Sequence, residues 1–278
     1  MTKAIDLIKP YTRPITVWVE DPLTSEYLFD CWNLPVITCR PGGSCESISV
    51  MIHDAVQRSE ANVFGVVDRD FRATNAADWL DMTKDIRCFV LPAHETENYL
   101  LDPEALAGCD ANNRGHSPAE IEARMKARAR QLVWWMACRH TIKRISRMCI
   151  DDFVDMPNPG AIVDLTSAAD HITGHAWFAR FPAEAAQIVA AGNIVDWISE
   201  AHALYTDDLA RGAWRITFSG KEIFRDVRGL VYQPPKRATR SNYDVDVAKS
   251  FARWQLANHR IPTDIANLLT ALQARGLR

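Results

Sequence analysis

Four short runs of β-favouring residues, each followed by enough chain for one helix, occupy the first part of the sequence. They are ITVWVE (15–20), PVITC (35–39), VFGVV (63–67) and IRCFVL (86–91). Between the first two, Leu23, Tyr27, Leu28 and Cys31 fall near one helical face, with Asp21-Pro22 as the break and Thr24 as the cap. Between the next two, Ser44 caps a segment in which Ile48, Met51, Ile52 and Val56 keep helical spacing. The stretch DWLDMTK (78–84) supplies a third helical spacer. Strands separated by helix-length segments pair in parallel, with the helices as crossovers. The pattern therefore predicts an α/β domain built on an open, mainly parallel four-stranded sheet with flanking helices.

The strand ends carry acid. Glu20 ends the first run, Asp68 and Asp70 close the third, and Glu95 and Glu97 follow the fourth. At parallel strand ends these groups converge on one edge of the sheet, the edge at which open α/β folds bind ligands. Clustered carboxylates repel one another, and a hard divalent cation relieves that repulsion. Mg²⁺, with Mn²⁺ as a substitute, suits such oxygen donors and supports phosphodiester cleavage. Each piece also has a plainer reading: Glu20 as a solvated strand end, Asp68-Arg69-Asp70 as a turn or cap, His94-Glu95 as a helix cap. Gly42-Gly43 is either a tight turn or a place where backbone approaches phosphate. Arg69 and Arg72 either clamp phosphate or neutralise the acids.

After residue 110 the texture changes. DANNRGHSP (110–118) is a linker, with Ser117 capping and Pro118 opening a long helical stretch to residue 150. From 123 to 150 there is no acid, but there are Arg124, Lys126, Arg128, Arg130, Arg139, Lys143, Arg144 and Arg147, with His140. Such a helix face is either solvated and salt-bridged to the acidic first part or a contact for nucleic-acid backbone, Lys143, Arg144 and Arg147 foremost. Trp134-Trp135 read as core. Further helices are predicted over 182–191, 193–209, 245–259 and 263–277, with mixed signals over 214–232. Lys236, Arg237 and Arg240 follow Pro234-Pro235 as a candidate phosphate-binding loop. Residues 1–110 carry 9 basic against 18 acidic residues, and 111–278 carry 23 against 17. An acidic catalytic domain (1–110) beside a basic, mostly helical region (111–278) that binds nucleic acid or a partner fits this asymmetry.

Several classes are disfavoured. No apolar run approaches the ~20 residues of a membrane span, and the first residues lack a signal-peptide core. The 7 cysteines contain no C-x-x-C pair, which suits reduced thiols and a cytoplasmic setting. The histidines show no compact zinc spacing, and no P-loop signature is present. ATP hydrolysis would therefore belong to a partner.

Taken together, VWVE (17–20), PGG (41–43), VVDRDF (66–71) and HETENYLL (94–101), with FSGKEIF (218–224) downstream, resemble the toprim-like nuclease family encoded beside ABC-type ATPases. That family includes OLD-type nucleases and the toprim effector of the PARIS anti-phage system. The resemblance covers about residues 14–104, and beyond them only Ser219-Gly220-Lys221. It implies a metal-dependent endonuclease, the toxic effector of an ATPase-partnered anti-phage system, with RNA, including transfer RNA, favoured over DNA. Carried over by position, Glu20 is the acid that assists proton transfer or holds metal, and Asp68 and Asp70 are metal ligands. Glu97, with Glu95, completes the site, and Lys221 is a cation near the scissile phosphate. The family has Gly after its first glutamate and an acid three residues later; here stand Asp21 and Thr24. The competing expectation is a non-catalytic toprim-like module that docks on an ATPase or on nucleic acid. A primase-type nucleotidyl transfer is a more distant alternative, and apolar surface on the helical region is compatible with a homodimer.

Overall fold

The computed structural model describes residues 14–72, 78–148, 157–191, 193–234 and 243–276. Its sheet comprises β1 (Ile15–Val19), β2 (Ile37–Pro41), β3 (Val63–Val67) and β4 (Cys88–Val90), all parallel, in the order β2-β1-β3-β4. This is the α/β class that the alternation predicts. From β1 the chain runs outward to β2 on one side, and β3 then pairs on the other. The topological switch point therefore lies between the carboxyl ends of β1 and β3, where open α/β sheets bind ligands.

The two central strands are buried along their whole length, which is why they read as unbroken apolar runs. Their side chains alternate between two cores. Ile15, Val17, Val19, Phe64 and Val66 join the large core, while Trp18, Val63 and Val67 join a small one against α2 (Cys45–Gln57). Gly65 makes that second layer feasible, because a Cβ there would lie 2.6 Å from side-chain atoms of both Ile48 and Ile52.

On the other face, α1 (Pro22–Trp32) packs against α11 (Tyr243–Ala257), and α12 (Thr263–Gly276) reaches β1. Tyr27 sits beneath this layer, its hydroxyl donating to the buried Gln255 Oε1 at 3.0 Å. The Trp32 indole donates to the Ile265 carbonyl at 3.1 Å. The remaining helices are α3 (Pro103–Gly108), α4 (Pro118–Ser146), α5 (Leu165–Thr173), α6 (Ala176–Arg180), α7 (Pro182–Ala191), α8 (Ile194–Arg211), α9 (Trp214–Thr217) and α10 (Gly220–Val231). The long basic stretch is thus one helix, opened by reciprocal hydrogen bonds between Ser117 and Glu120. It packs against α8 and α10. Among the described residues no helix is long and apolar enough to cross a membrane.

Three local expectations are corrected. Asp21, not Thr24, caps α1, accepting from the Thr24 amide at 2.8 Å. The second strand runs to Pro41 and begins at Ile37 because it pairs in register with β1 from Ile15. The stretch 78–84 forms only a single 3₁₀ turn, Asp78–Leu80. Its Trp79 is buried edge-on to Phe89, so tertiary packing overrides a weak helical tendency.

Truncation at Gln255 tests how the C-terminal helices are held. Gln255→Ala leaves the Tyr27 hydroxyl buried without an acceptor, and chemical denaturation is expected to read a loss of about 1–3 kcal/mol.

Candidate metal centre

The predicted acids meet at the carboxyl edge of the sheet. Glu20 leaves β1 half-buried, and its Oε1 accepts from the Asp68 amide at 3.3 Å. Asp68 is 7 % exposed, and its Oδ1 accepts from the Thr96 amide (2.9 Å) and hydroxyl (3.1 Å). Asp70 adopts the left-handed conformation (φ 50°), which Asp tolerates better than most residues, and its amide donates to the His94 carbonyl at 2.8 Å. That turn brings ligand atoms of Asp70, His94 and Glu95 within 4.8 Å of one another. Glu97 is 3 % exposed; its Oε1 lies 3.9 Å from Lys221 Nζ, and its Oε2 is buried with no hydrogen-bond partner.

The electrostatics follow from this crowding. Burial, then Glu97, Glu20 and Glu95, push the Asp68 carboxyl well above the usual range. Burial and then Asp70 raise Glu20. Burial also raises Glu97, with Lys221 opposing and Glu95 and Asp21 adding to it. For Lys221 burial works against the charge, but Glu97 and Glu95 outweigh it and lift the ammonium to about 12. Burial, followed by Arg139, keeps His94 neutral.

Glu95 has two faces. Its Oε2 accepts from the Ser219 hydroxyl (2.9 Å) and the Lys221 amide (2.7 Å), so it caps the amino end of α10. Its Oε1 lies 4.0 Å from His94 Nε2, a buried nitrogen without a hydrogen-bond partner. The same turn is tied down through Asn98. Its side-chain amide donates to the carbonyls of Arg215 and Phe218, both at 2.9 Å, and its Oδ1 accepts from the Glu95 amide at 2.7 Å. Gly220 is required here, because a Cβ would lie 2.4 Å from the Asn98 amide nitrogen. HETENYLL and FSGKEIF are therefore two halves of one interlock.

The departures at 21 and 24 acquire a physical reading. Asp21 is committed to capping α1. Thr24 donates from Oγ1 to Thr96 Oγ1 at 3.0 Å, and Thr96 in turn donates to Asp68, so a hydroxyl relay steadies the central aspartate. Thr24 and Thr96 escape sequence reading because neither is a metal-ligand type. His94 escapes because Asp70 reaches it from another turn and no histidine spacing announces the cluster.

The cations divide. Arg72 lies at the edge, reaching the Asp68 carbonyl (3.4 Å) and Cys45 Sγ (2.7 Å), and it lowers Glu20 against the effect of burial. Arg69 turns away to the Ile216 carbonyl at 3.1 Å. The glycine turn does not present free amides: Gly42 and Gly43 donate to the carbonyls of Val19 (2.7 Å) and Glu20 (3.1 Å). On α4, Arg124 pairs with Asp226, Arg128 with Glu222 and Arg144 with Glu200. Among the described residues these ion pairs bridge the basic face to α10 and α8 and not to the acidic first part. Arg147 donates to the Phe71 carbonyl, while Lys143 is exposed. Trp135 is core, and the half-buried Trp134 stacks on His202 at 3.7 Å. Lys236, Arg237 and Arg240 lie outside the described residues.

No family model and no curated protein matches this chain.

The crowded carboxylates have a measurable consequence. A carboxyl whose folded-state pKa is raised contributes stability at low pH and loses it as pH rises through the raised value. In a chelator, the melting temperature is expected to climb as pH falls from neutrality toward the ordinary carboxylate range (~4). Mn²⁺ at about 100 times its dissociation constant should restore about 2.7 kcal/mol at neutral pH. Scanning fluorimetry reads both.

Proposed function

We propose that this chain is a divalent-metal-dependent endonuclease of toprim type, the toxic effector of an ATPase-partnered anti-phage system. The observation that carries the reading is the crowding of Glu20, Asp68 and Glu97 at one sheet edge, with Asp70 in the adjoining cluster with His94 and Glu95, and one buried oxygen, Glu97 Oε2, that the protein itself leaves unpaired. An all-oxygen set of this kind fits Mg²⁺ or Mn²⁺. Asp68 and Asp70 would hold the ion with Glu20, and Glu97 would complete the set. Bound there, such an ion would supply Lewis-acid polarisation of a phosphoryl oxygen and a lowered pKa for attacking water.

The chain's own groups do the rest. The Glu20 carboxylate, raised in pKa and held by the Asp68 amide, is suited to accept a proton from the attacking water. Lys221 stays charged and offers a fixed cation toward charge that builds on the departing oxygen. Arg72 fixes the carbonyl of Asp68 and so the turn that carries Asp70. RNA, including transfer RNA, is the favoured substrate over DNA, and an ABC-type ATPase is the expected partner; both rest on the resemblance. The second reading, a binding module without catalysis, is favoured by the commitment of Asp21 and one oxygen of Glu95 to helix caps.

Metal-dependent cleavage of cellular RNA and DNA, read by sequencing the product ends with and without the ATPase partner, separates the two. Glu20→Ala and Asp68→Ala are each expected to lower cleavage by about 100-fold or more while the protein stays folded. Undiminished cleavage by folded Glu20→Ala would sink the role of Glu20. A wild-type chain that binds nucleic acid but never cuts it supports the binding module.

A further inference from the structure

Arg139 is the one Arg of α4 that points inward. It is 6 % exposed, its Nε is buried without a hydrogen-bond partner, and among the described residues it makes no ion pair. Its guanidinium is held by two aromatic rings instead, 4.5 Å from the centroid of Trp135 and 5.1 Å from that of Phe71. A buried charge with no counter-charge is costly, and aromatic faces return only part of that cost. Other arginines on the same helix, Arg124, Arg128 and Arg144, have carboxylates at 2.6–3.1 Å. Arg139 alone is held in place yet left without an anion.

Its position supplies the meaning. Phe71 directly follows Asp70, and its ring packs edge-on against His94 at 4.9 Å. His94 in turn belongs to the cluster with Asp70 and Glu95. Arg139 therefore stands one ring away from the acidic edge, on the side facing α4 and α8. Arg69, whose guanidinium is engaged on the Ile216 carbonyl, acts with Arg139 on His94 and Tyr205, and the buried Asp208 opposes them at Tyr205. The Tyr205 hydroxyl, 3.3 Å from His140 Nδ1, adds a polar group to the same neighbourhood. A planar guanidinium fixed between rings keeps its fork geometry for a phosphate and loses little freedom on binding.

We propose that Arg139 is the binding site for a backbone phosphate of the nucleic-acid strand whose cleavage is proposed at the adjacent carboxylates. This rests on the nuclease reading for the identity of the strand, though not for the anion. The site recognises the phosphate group and not the base, so it serves RNA and DNA alike.

The test uses the full chain in excess chelator, where cleavage is off. Anisotropy of fluorescein-labelled single-stranded RNA and DNA reads affinity for wild type, Arg139→Lys and Arg139→Gln, with thermal melts as the folding check. Arg139→Gln is expected to weaken binding about 10–100-fold and to flatten the salt dependence by about one counterion. Arg139→Lys should keep part of the affinity. Independently of any variant's stability, the side-chain Hε resonance of Arg139 in wild type, assigned by its loss in Arg139→Lys, should shift on adding the oligonucleotide. A folded Arg139→Gln that binds as wild type, or an Hε resonance unmoved by oligonucleotide, overturns the proposal. A shift with orthophosphate but none with oligonucleotide overturns the strand as ligand and points to free phosphate. Arg139-dependent binding in a protein that no metal renders active would remove the nuclease reading and leave the phosphate site standing.

Discussion

The interlock between the turn 94–98 and the segment 215–221 is the constraint on which the rest depends. Asn98 satisfies two carbonyls of the α9 region and the Glu95 amide, while Glu95 takes a hydroxyl and an amide from the start of α10. The partners are more than a hundred residues apart in sequence (|i−j| up to 126). Without this knot Glu97 and Lys221 would not face each other, and the turn that carries His94 and accepts the Asp70 amide would have no fixed wall. Three of these five bonds are buried and two half-buried, so leaving a buried one unmade costs the full desolvation of its group.

Repulsion sets the second condition. Asp68 sits among Glu20, Glu97 and Glu95 under burial, and the fold offers Arg72 and Lys221 against them. The threonine relay through Thr24 and Thr96 steadies Asp68 without neutralising it. Meanwhile α4 places three of its arginines, Arg124, Arg128 and Arg144, in ion pairs with α10 and α8. A basic sequence stretch thus serves in part as an internal brace.

Much of the fold was legible because strand alternation and helical spacing are local signals. Val63–Val67 and Pro182–Ala191 lie where periodicity places them. The turn at 78–80 was not legible, since burial of Trp79 against Phe89 decides it. At the site, Glu20, Asp68, Asp70 and Glu97 could be read because strand ends advertise their acids. The double duty of Glu95 could not, because it depends on the amino end of α10 arriving from far along the chain. His94, Thr96 and Arg139 were hidden for a related reason: their meaning lies in which groups surround them. The glycine pair at 42–43 misleads in the opposite direction, since its amides are used by the end of β1.

The central claim is that this carboxylate edge holds a divalent cation. Calorimetric titration of the chelator-stripped protein with Mn²⁺ at neutral pH tests it most directly. Saturable binding to the wild type that is lost in a folded Asp68→Asn variant is the result expected. A silent wild-type titration, or binding undiminished in Asp68→Asn, would contradict it.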